Sequence, residues 1–153
     1  MVFEIDLEEM EEFKFSIYVN HFRINRKEIE YKEVEKGWVK TKLGWEFFDE
    51  SGKQVKDCWI KVNEKWYLIN KDGIMQTGWA NISGKWYYQN SDGSMATGWT
   101  MVDNKWYYLQ SDGTMAIGWV KLDSKWHYMN TNGQMLSNIT IDGYKLGEDG
   151  ALL

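Results

Sequence analysis

The sequence predicts an all-β protein, a β-solenoid of stacked 20-residue β-hairpins, and three observations support this fold class. A pair of tryptophans seven residues apart recurs five times between residues 37 and 137. The repeat is 20 residues long, or 21 in its first copy, which fits two short strands and a loop. In the later copies Asn, Asp, Ser or Gly separates the tryptophans, and such residues suit tight hairpin turns. All ten tryptophans belong to these pairs, which are Trp38/Trp45, Trp59/Trp66, Trp79/Trp86, Trp99/Trp106 and Trp119/Trp126.

Residues 1–36 precede the repeats and differ from them in composition. They hold 10 acidic and six basic side chains, a net charge of −4, whereas residues 37–153 have a net charge of −1. The stretch FKFSIYV (13–19) alternates apolar and polar residues, as a half-buried strand does. We therefore predict two domains, a small N-terminal β segment (1–36) and the repeat module (37–153). A segment this short cannot bury its own core, so we expect it to dock on the repeats or to form a homodimer.

Each repeat can be folded into a hairpin with a defined register. With Ser83 and Gly84 as the turn, Trp79 pairs with Tyr88, and Trp79, Trp86 and Tyr88 share one face. We expect Tyr88 and its equivalents to form the core. These equivalents are Leu68, Tyr108 and Tyr128. The first repeat has Lys42 and Leu43 in the turn and one inserted residue, which predicts a distorted hairpin.

The tryptophan pairs suggest a binding function. Two tryptophans of one hairpin beside a tyrosine of the next form an aromatic box, and such boxes attract quaternary ammonium ions. A methionine that recurs nine residues after the second tryptophan offers a polarisable wall. The residues alone leave two alternatives open, namely sugar stacking on the aromatic faces and a purely structural role.

The repeated pattern GW-x6-WYY-x3-DG-x-M resembles the choline-binding repeats, also called cell-wall-binding repeats, of Gram-positive surface proteins and of phage or bacterial lysins. The resemblance covers residues 37–153, and the tail NITIDGYKLGEDGALL is similar to the terminal unit of clostridial members. It implies a left-handed solenoid that binds choline or phosphocholine of teichoic acid between consecutive hairpins. Related repeats bind glucans or oligosaccharides, so a carbohydrate-binding module is one alternative. A structural or assembly subunit is another.

In the family a site takes two aromatic residues from one hairpin, a third from the next, and often a methionine. Carried onto this chain, the resemblance implies four sites: Trp38, Trp45 and Tyr67; Trp59, Trp66, Tyr87 and Met75; Trp79, Trp86, Tyr107 and Met95; and Trp99, Trp106, Met115 and His127.

Two departures from the family pattern affect the last sites. His127 stands where the pattern has Tyr, and a protonated imidazole repels a cation. We therefore expect the fourth site to be weak and to lose affinity below about pH 6.5, the usual histidine value. After Trp119 and Trp126 the next unit has Ile139 and Tyr144 in a shortened hairpin, which argues against a fifth site.

The sequence indicates a non-catalytic module that needs no cofactor. His21 and His127 lack the neighbouring ligands of a zinc site, and no phosphate loop or nucleophile elbow occurs. Cys58 has no cysteine partner, and we interpret it as a buried thiol. The acidic net charge of −5 disfavours nucleic acid, and no run reaches the length of a membrane span. We expect the module at the bacterial cell wall. Because no signal peptide is apparent, it would be phage-delivered or a fragment of a longer protein.

Overall fold

The computed structural model describes residues 35–153, and in this part of the chain every regular element is a β-strand. Strands that follow each other in the sequence pair as two-stranded antiparallel hairpins. The N-terminal strands predicted within 1–34 lie outside the described residues, and the division into two domains stays a prediction. The hairpins are β1 (Gly37–Lys40) with β2 (Trp45–Phe48), β3 (Cys58–Val62) with β4 (Lys65–Ile69), β5 (Gly78–Ile82) with β6 (Lys85–Gln89), β7 (Gly98–Val102) with β8 (Lys105–Leu109), β9 (Gly118–Leu122) with β10 (Lys125–Met129), and β11 (Thr140–Ile141) with β12 (Tyr144–Lys145).

The predicted two-residue turns and the strand register are confirmed. Ser83 and Gly84 have φ angles of 52° and 82°, and Trp79 lies opposite Tyr88. Positive φ at both central residues gives the turn the twist of its strands. The first hairpin is wider, as expected from its sequence, and closes through a hydrogen bond of 2.8 Å from Thr41 N to Gly44 O.

The hairpins stack because the end of each repeat pairs with the second strand of the repeat before it. Met75 N donates to Trp45 O at 2.8 Å, and Met95 N donates to Trp66 O at 2.7 Å. The same bond recurs through Met115, Met135 and Leu152. A regular ladder of backbone hydrogen bonds therefore fixes the position of every hairpin against its neighbour, as in a solenoid.

The most buried column of side chains lies one residue later in the sequence than Tyr88. Leu109, which ends β8, is fully buried, whereas Tyr88 is half-buried and packs edge-on against Trp79, with ring centroids 5.0 Å apart. Successive residues of a strand point to opposite faces, so this column shares the inner face with Tyr87. Of the expected core residues, Leu68 is buried, but Tyr88, Tyr108 and Tyr128 are only half-buried. The fully buried column consists of Ile69, Gln89, Leu109 and Met129.

Candidate aromatic cages for a cationic ligand

The two tryptophans of a hairpin stand nearly at right angles. The Trp79 and Trp86 rings lie 6.3 Å apart at 86°, and those of Trp99 and Trp106 lie 6.2 Å apart at 83°. This follows from their diagonal placement across the two strands of one hairpin face. The second tryptophan of every pair keeps about two fifths of its surface in water, 39–43%. Each hairpin thus presents two walls of a partly open cage. The cages are numbered by repeat, so the first contains Trp38 and Trp45 and the fifth contains Trp119 and Trp126.

A ring from the following hairpin supplies the third wall. Tyr107 lies 4.8 Å from Trp79, and Tyr87 lies 5.2 Å from Trp59, both edge-on. The structure also brings Tyr67 to 5.0 Å from Trp38. These are the aromatic partners that the resemblance implied. The third wall is firmly positioned because Tyr107 is buried in the solenoid interior and its hydroxyl accepts a hydrogen bond from Gln134 at 3.4 Å.

The methionines belong to different cages from those assigned by the sequence. The assignment placed Met75, Met95 and Met115 with the tryptophans of their own repeats. In the structure Met75 lines the first cage, with Trp38, Trp45 and Tyr67, and Met115 lines the third. The hydrogen bond from Met95 N to Trp66 O places Met95 beside the second cage. Each methionine therefore lies in the cage of the preceding repeat, because its backbone N–H donates to the second tryptophan of that repeat.

Each of these methionine side chains lies against a glycine of the following repeat, which leaves the space that the side chain occupies. Gly93 has a φ of 80°, and a Cβ at this position would collide with the Sδ and Cε atoms of Met75. Gly113 and Gly133 stand in the same relation to Met95 and Met115. The Asp-Gly or Asn-Gly turn therefore has two functions. It reverses the chain, and it leaves the space in which the methionine of the preceding repeat lies.

Three successive repeats contribute to one cavity. The first cage, of about 310 Å³, is bordered by Asp92 from the third repeat, and the third cage, of about 300 Å³, by Asn132 from the fifth. Asp149 borders the fourth cage. Hydrogen bonds from Ser94, together with Lys65 at 3.3 Å, hold the pKa of Asp92 below its usual value. Asp92 therefore stays ionised at neutral pH, and carboxylates at a cage mouth favour a cation.

The fourth cage contains the imidazole in place of a phenol ring. His127 is buried, lies 5.1 Å from Trp99, and joins Trp106 and Met135 around a cavity of about 300 Å³. Its Nδ1 atom is buried without a hydrogen-bond partner among the described residues. In the third cage Gln134 donates a hydrogen bond to the Tyr107 hydroxyl. The residue that pairs with His127 is Ala151, whose methyl group can form no hydrogen bond with the imidazole.

A fifth cage forms, although the sequence argued against it. Tyr144 lies 5.6 Å from Trp119, and with Trp126 and Leu152 these rings surround about 380 Å³. The short hairpin still delivers a ring because Leu152 N donates to Trp126 O at 2.8 Å, as the methionines do in earlier repeats. The sequence pattern did not reveal Tyr144 as the third ring, because the last unit is shorter and lacks the regular spacing of the other repeats.

Residues 35–153 contain no cluster of three His, Cys, Asp or Glu side chains that could hold a metal ion. Within the same residues no helix has the length and apolar character needed to cross a membrane.

A family model described as choline-binding repeat matches residues 58–96, 76–110 and 96–139, which together cover more than half of the chain. Among curated proteins, none matches the chain.

Three solved structures are similar to this chain in sequence and fold. CbpJ from Streptococcus pneumoniae is 34% identical with a TM-score of 0.75 over 90% of this chain and 49% of its own. Choline binding protein F from the same organism, in the presence of a peptidoglycan analogue, is 40% identical with a TM-score of 0.74 over 90% of this chain and 48% of its own. The modular autolysin LytC of that species is 28% identical with a TM-score of 0.64 over 80% of this chain and 29% of its own.

The chain thus spans less than half the length of these relatives, and it matches them through its repeats. The matched repeats are non-catalytic binding units associated with the bacterial cell wall. The stacked hairpins, the paired tryptophans and the family match agree, and we conclude that this chain belongs to the choline-binding repeat family.

Proposed function

We propose that this chain is a non-catalytic module that binds choline or phosphocholine of cell-wall teichoic acid in its aromatic cages. The observation that carries the proposal is the repeated set of three mutually inclined rings around a partly open cavity. A trimethylammonium group is round and can contact several ring faces at once, each contact being worth about 0.5–2 kcal/mol. Asp92 and Asp149 border two of the cages, where each forms an ion pair with a lysine, Lys65 or Lys125, so the attraction for a positive ligand comes chiefly from the rings.

The geometry favours this ligand over a carbohydrate. A sugar stacks on a broad flat ring face, whereas the two tryptophan rings of the third and fourth cages meet at 86° and 83°. Perpendicular walls enclose a compact cation but offer a sugar ring only one platform. The family relation supports the same choice, since choline binding protein F is named for this ligand.

The row of cages suits a polymer. Cages recur at a fixed repeat of the solenoid, and teichoic acid would display many cholines along one chain. Once the first choline is bound, the others are held at high local concentration, so several weak sites give tight attachment. We therefore assign the module to attachment at the cell wall. The homodimer predicted through residues 1–36 stays a prediction.

The test compares choline with its neutral isostere, 3,3-dimethylbutan-1-ol, in titrations followed by tryptophan fluorescence. We expect the alcohol to bind about tenfold more weakly or worse, because it lacks the charge that the rings attract. Trp86→Ala is expected to remove one site from the calorimetric stoichiometry. Ile117→Ala is the matched control, since Ile117 is 57% exposed and borders none of the described cages. Equal binding of both ligands, or a response to oligosaccharides alone, would refute the proposal.

A further inference from the structure

Two of the cages carry a lysine ammonium beside their second tryptophan. Lys40 Nζ lies 5.3 Å from the centre of the Trp45 ring, and Lys121 Nζ lies 6.0 Å from that of Trp126. Each lysine is the cross-strand partner of its tryptophan and so projects from the same face of the hairpin. In the fourth cage this position is taken by Met101, opposite Trp106.

The fourth and fifth cages therefore differ in charge although they are neighbours. The fourth is bordered by Asp149, which forms an ion pair with Lys125 at 3.1 Å, and has the neutral Met101 beside its second tryptophan. The fifth has Lys121 in that place, and its lining of Trp119, Trp126, Tyr144 and Leu152 contains no acidic residue.

We propose that Lys121 makes the fifth cage selective for phosphocholine over choline, whereas the fourth cage lacks this preference. This inference rests on the proposed function, because it requires that the cages hold trimethylammonium groups. When such a group lies among the rings, the phosphate of phosphocholine extends two methylenes further, toward solvent. There the ammonium of Lys121, 6.0 Å from the Trp126 ring, attracts it in the fifth cage, whereas in the fourth cage it meets Asp149, whose charge is balanced by Lys125 at 3.1 Å.

The chemistry of lysine suits this role. An exposed ammonium on a flexible stem binds phosphate as a point charge, and it loses little hydration when the ligand is also solvent-exposed. A charge pair separated by about 6 Å in water is worth roughly a threefold change in affinity per unit of phosphate charge. Since a phosphomonoester carries about −1.5 to −2 charges, we expect a preference of about three- to tenfold at low ionic strength. Salt near 0.15 M should reduce it, because the Debye length is then about 8 Å.

The first cage offers an internal comparison. Lys40 lies beside its second tryptophan, and Asp92, which forms an ion pair with Lys65 at 3.3 Å, borders the same cavity. The Asp92 carboxylate opposes the attraction of Lys40 for a phosphate, and Lys65 offsets part of that opposition. We therefore expect this cage to show a preference between those of the fourth and fifth.

The test resolves the cages by the indole N–H resonances of ¹⁵N-tryptophan-labelled protein. Signals of Trp126 and Trp106 are assigned through single Trp→Phe variants, and each is titrated with choline and with phosphocholine. The measured quantity is the ratio of the two affinities at each cage. Lys121→Met should lower the phosphocholine preference of the fifth cage three- to tenfold, and Met101→Lys, its matched counterpart 20 residues earlier, should create one in the fourth. Lys121→Glu should reverse the preference.

The outcomes separate this inference from the proposed function. If choline moves no indole signal, the proposed function fails. If choline moves the signals but Lys121→Met and Lys121→Glu leave the ratio unchanged, the function stands and the inference is overturned. If Lys121→Met strengthens both ligands equally, the lysine merely competes for the ring, which also overturns it. If the protein binds phosphatidylcholine vesicles as tightly as it binds choline-bearing teichoic acid, the assignment of the phosphocholine to a wall polymer is overturned.

Discussion

Replacing His127 by Tyr should strengthen choline binding at the fourth cage. His127 lies 5.1 Å from Trp99, in the position that tyrosine occupies in the first three cages. The residue opposite it is the small Ala151, so the longer phenol ring has room.

The magnitude follows from the ring that this substitution adds. The phenol ring offers the bound cation one further cation–π contact of about 0.5–1 kcal/mol, which corresponds to a two- to fivefold gain in affinity.

The assay is a choline titration of the Trp106 indole resonance in the wild type and in the variant. We expect the His127→Tyr variant to bind choline two- to fivefold more tightly at this cage. Tyr107→His in the third cage is the matched control and should lower the affinity read from Trp86 by a similar factor. The reasoning is refuted if the His127→Tyr variant binds choline no more tightly than the wild type.

Three further predictions concern stability and cage assignment. Gln89→Met should raise the free energy of unfolding by about 1–3 kcal/mol in urea titrations, because Gln89 is fully buried and both polar atoms of its amide lack partners within the described residues. A less stable variant would mean that the amide is satisfied after all. Met95→Ala should weaken choline binding at the second cage, read from Trp66, and leave the third, read from Trp86, unchanged. The reverse pattern would return Met95 to its own repeat. Asp92→Asn should lower the melting temperature at pH 7. Because the pKa of Asp92 is lowered in the folded state, its ionisation stabilises the protein above the usual value of 3.8 and ceases to do so as the pH falls through the lowered pKa. The difference between the two proteins should therefore vanish in strong acid, and a difference that persisted there would have another cause.

Much of the candidate site could be predicted from sequence because its aromatic members obey local rules. The two tryptophans of a pair are fixed by hairpin register, which in turn is fixed by turns such as Ser83-Gly84. Register also decides which face each side chain occupies, and so puts Tyr87 on the face opposite the tryptophans of its own hairpin. Its pairing with the tryptophans of the preceding repeat was implied by the family resemblance. Tyr144 was not predicted as a cage residue because the tail lacks the regular spacing of aromatic residues found in the other repeats.

The residues that sequence reasoning misplaced are those that depend on contacts between hairpins. Met75 is close in sequence to Trp66, yet it lies with Trp45, because a backbone hydrogen bond pairs its strand with the preceding repeat. Asp92 comes from two repeats away, a distance over which sequence periodicity specifies no contact. Tyr88 was expected in the core but packs on Trp79, while the residue after it faces inward.

The sequence by itself determined the hairpin, its turns and the face that each aromatic residue occupies, since these depend on backbone φ preferences and on the two-residue periodicity of a strand. The pairing of aromatic residues in neighbouring repeats was implied by the resemblance of the repeats to a known family. The tertiary structure decided which methionine closes each cage and which charge stands at its mouth. Those features depend on the offset between stacked hairpins, and that offset is set by hydrogen bonds and close glycine–methionine packing between repeats that no local pattern encodes.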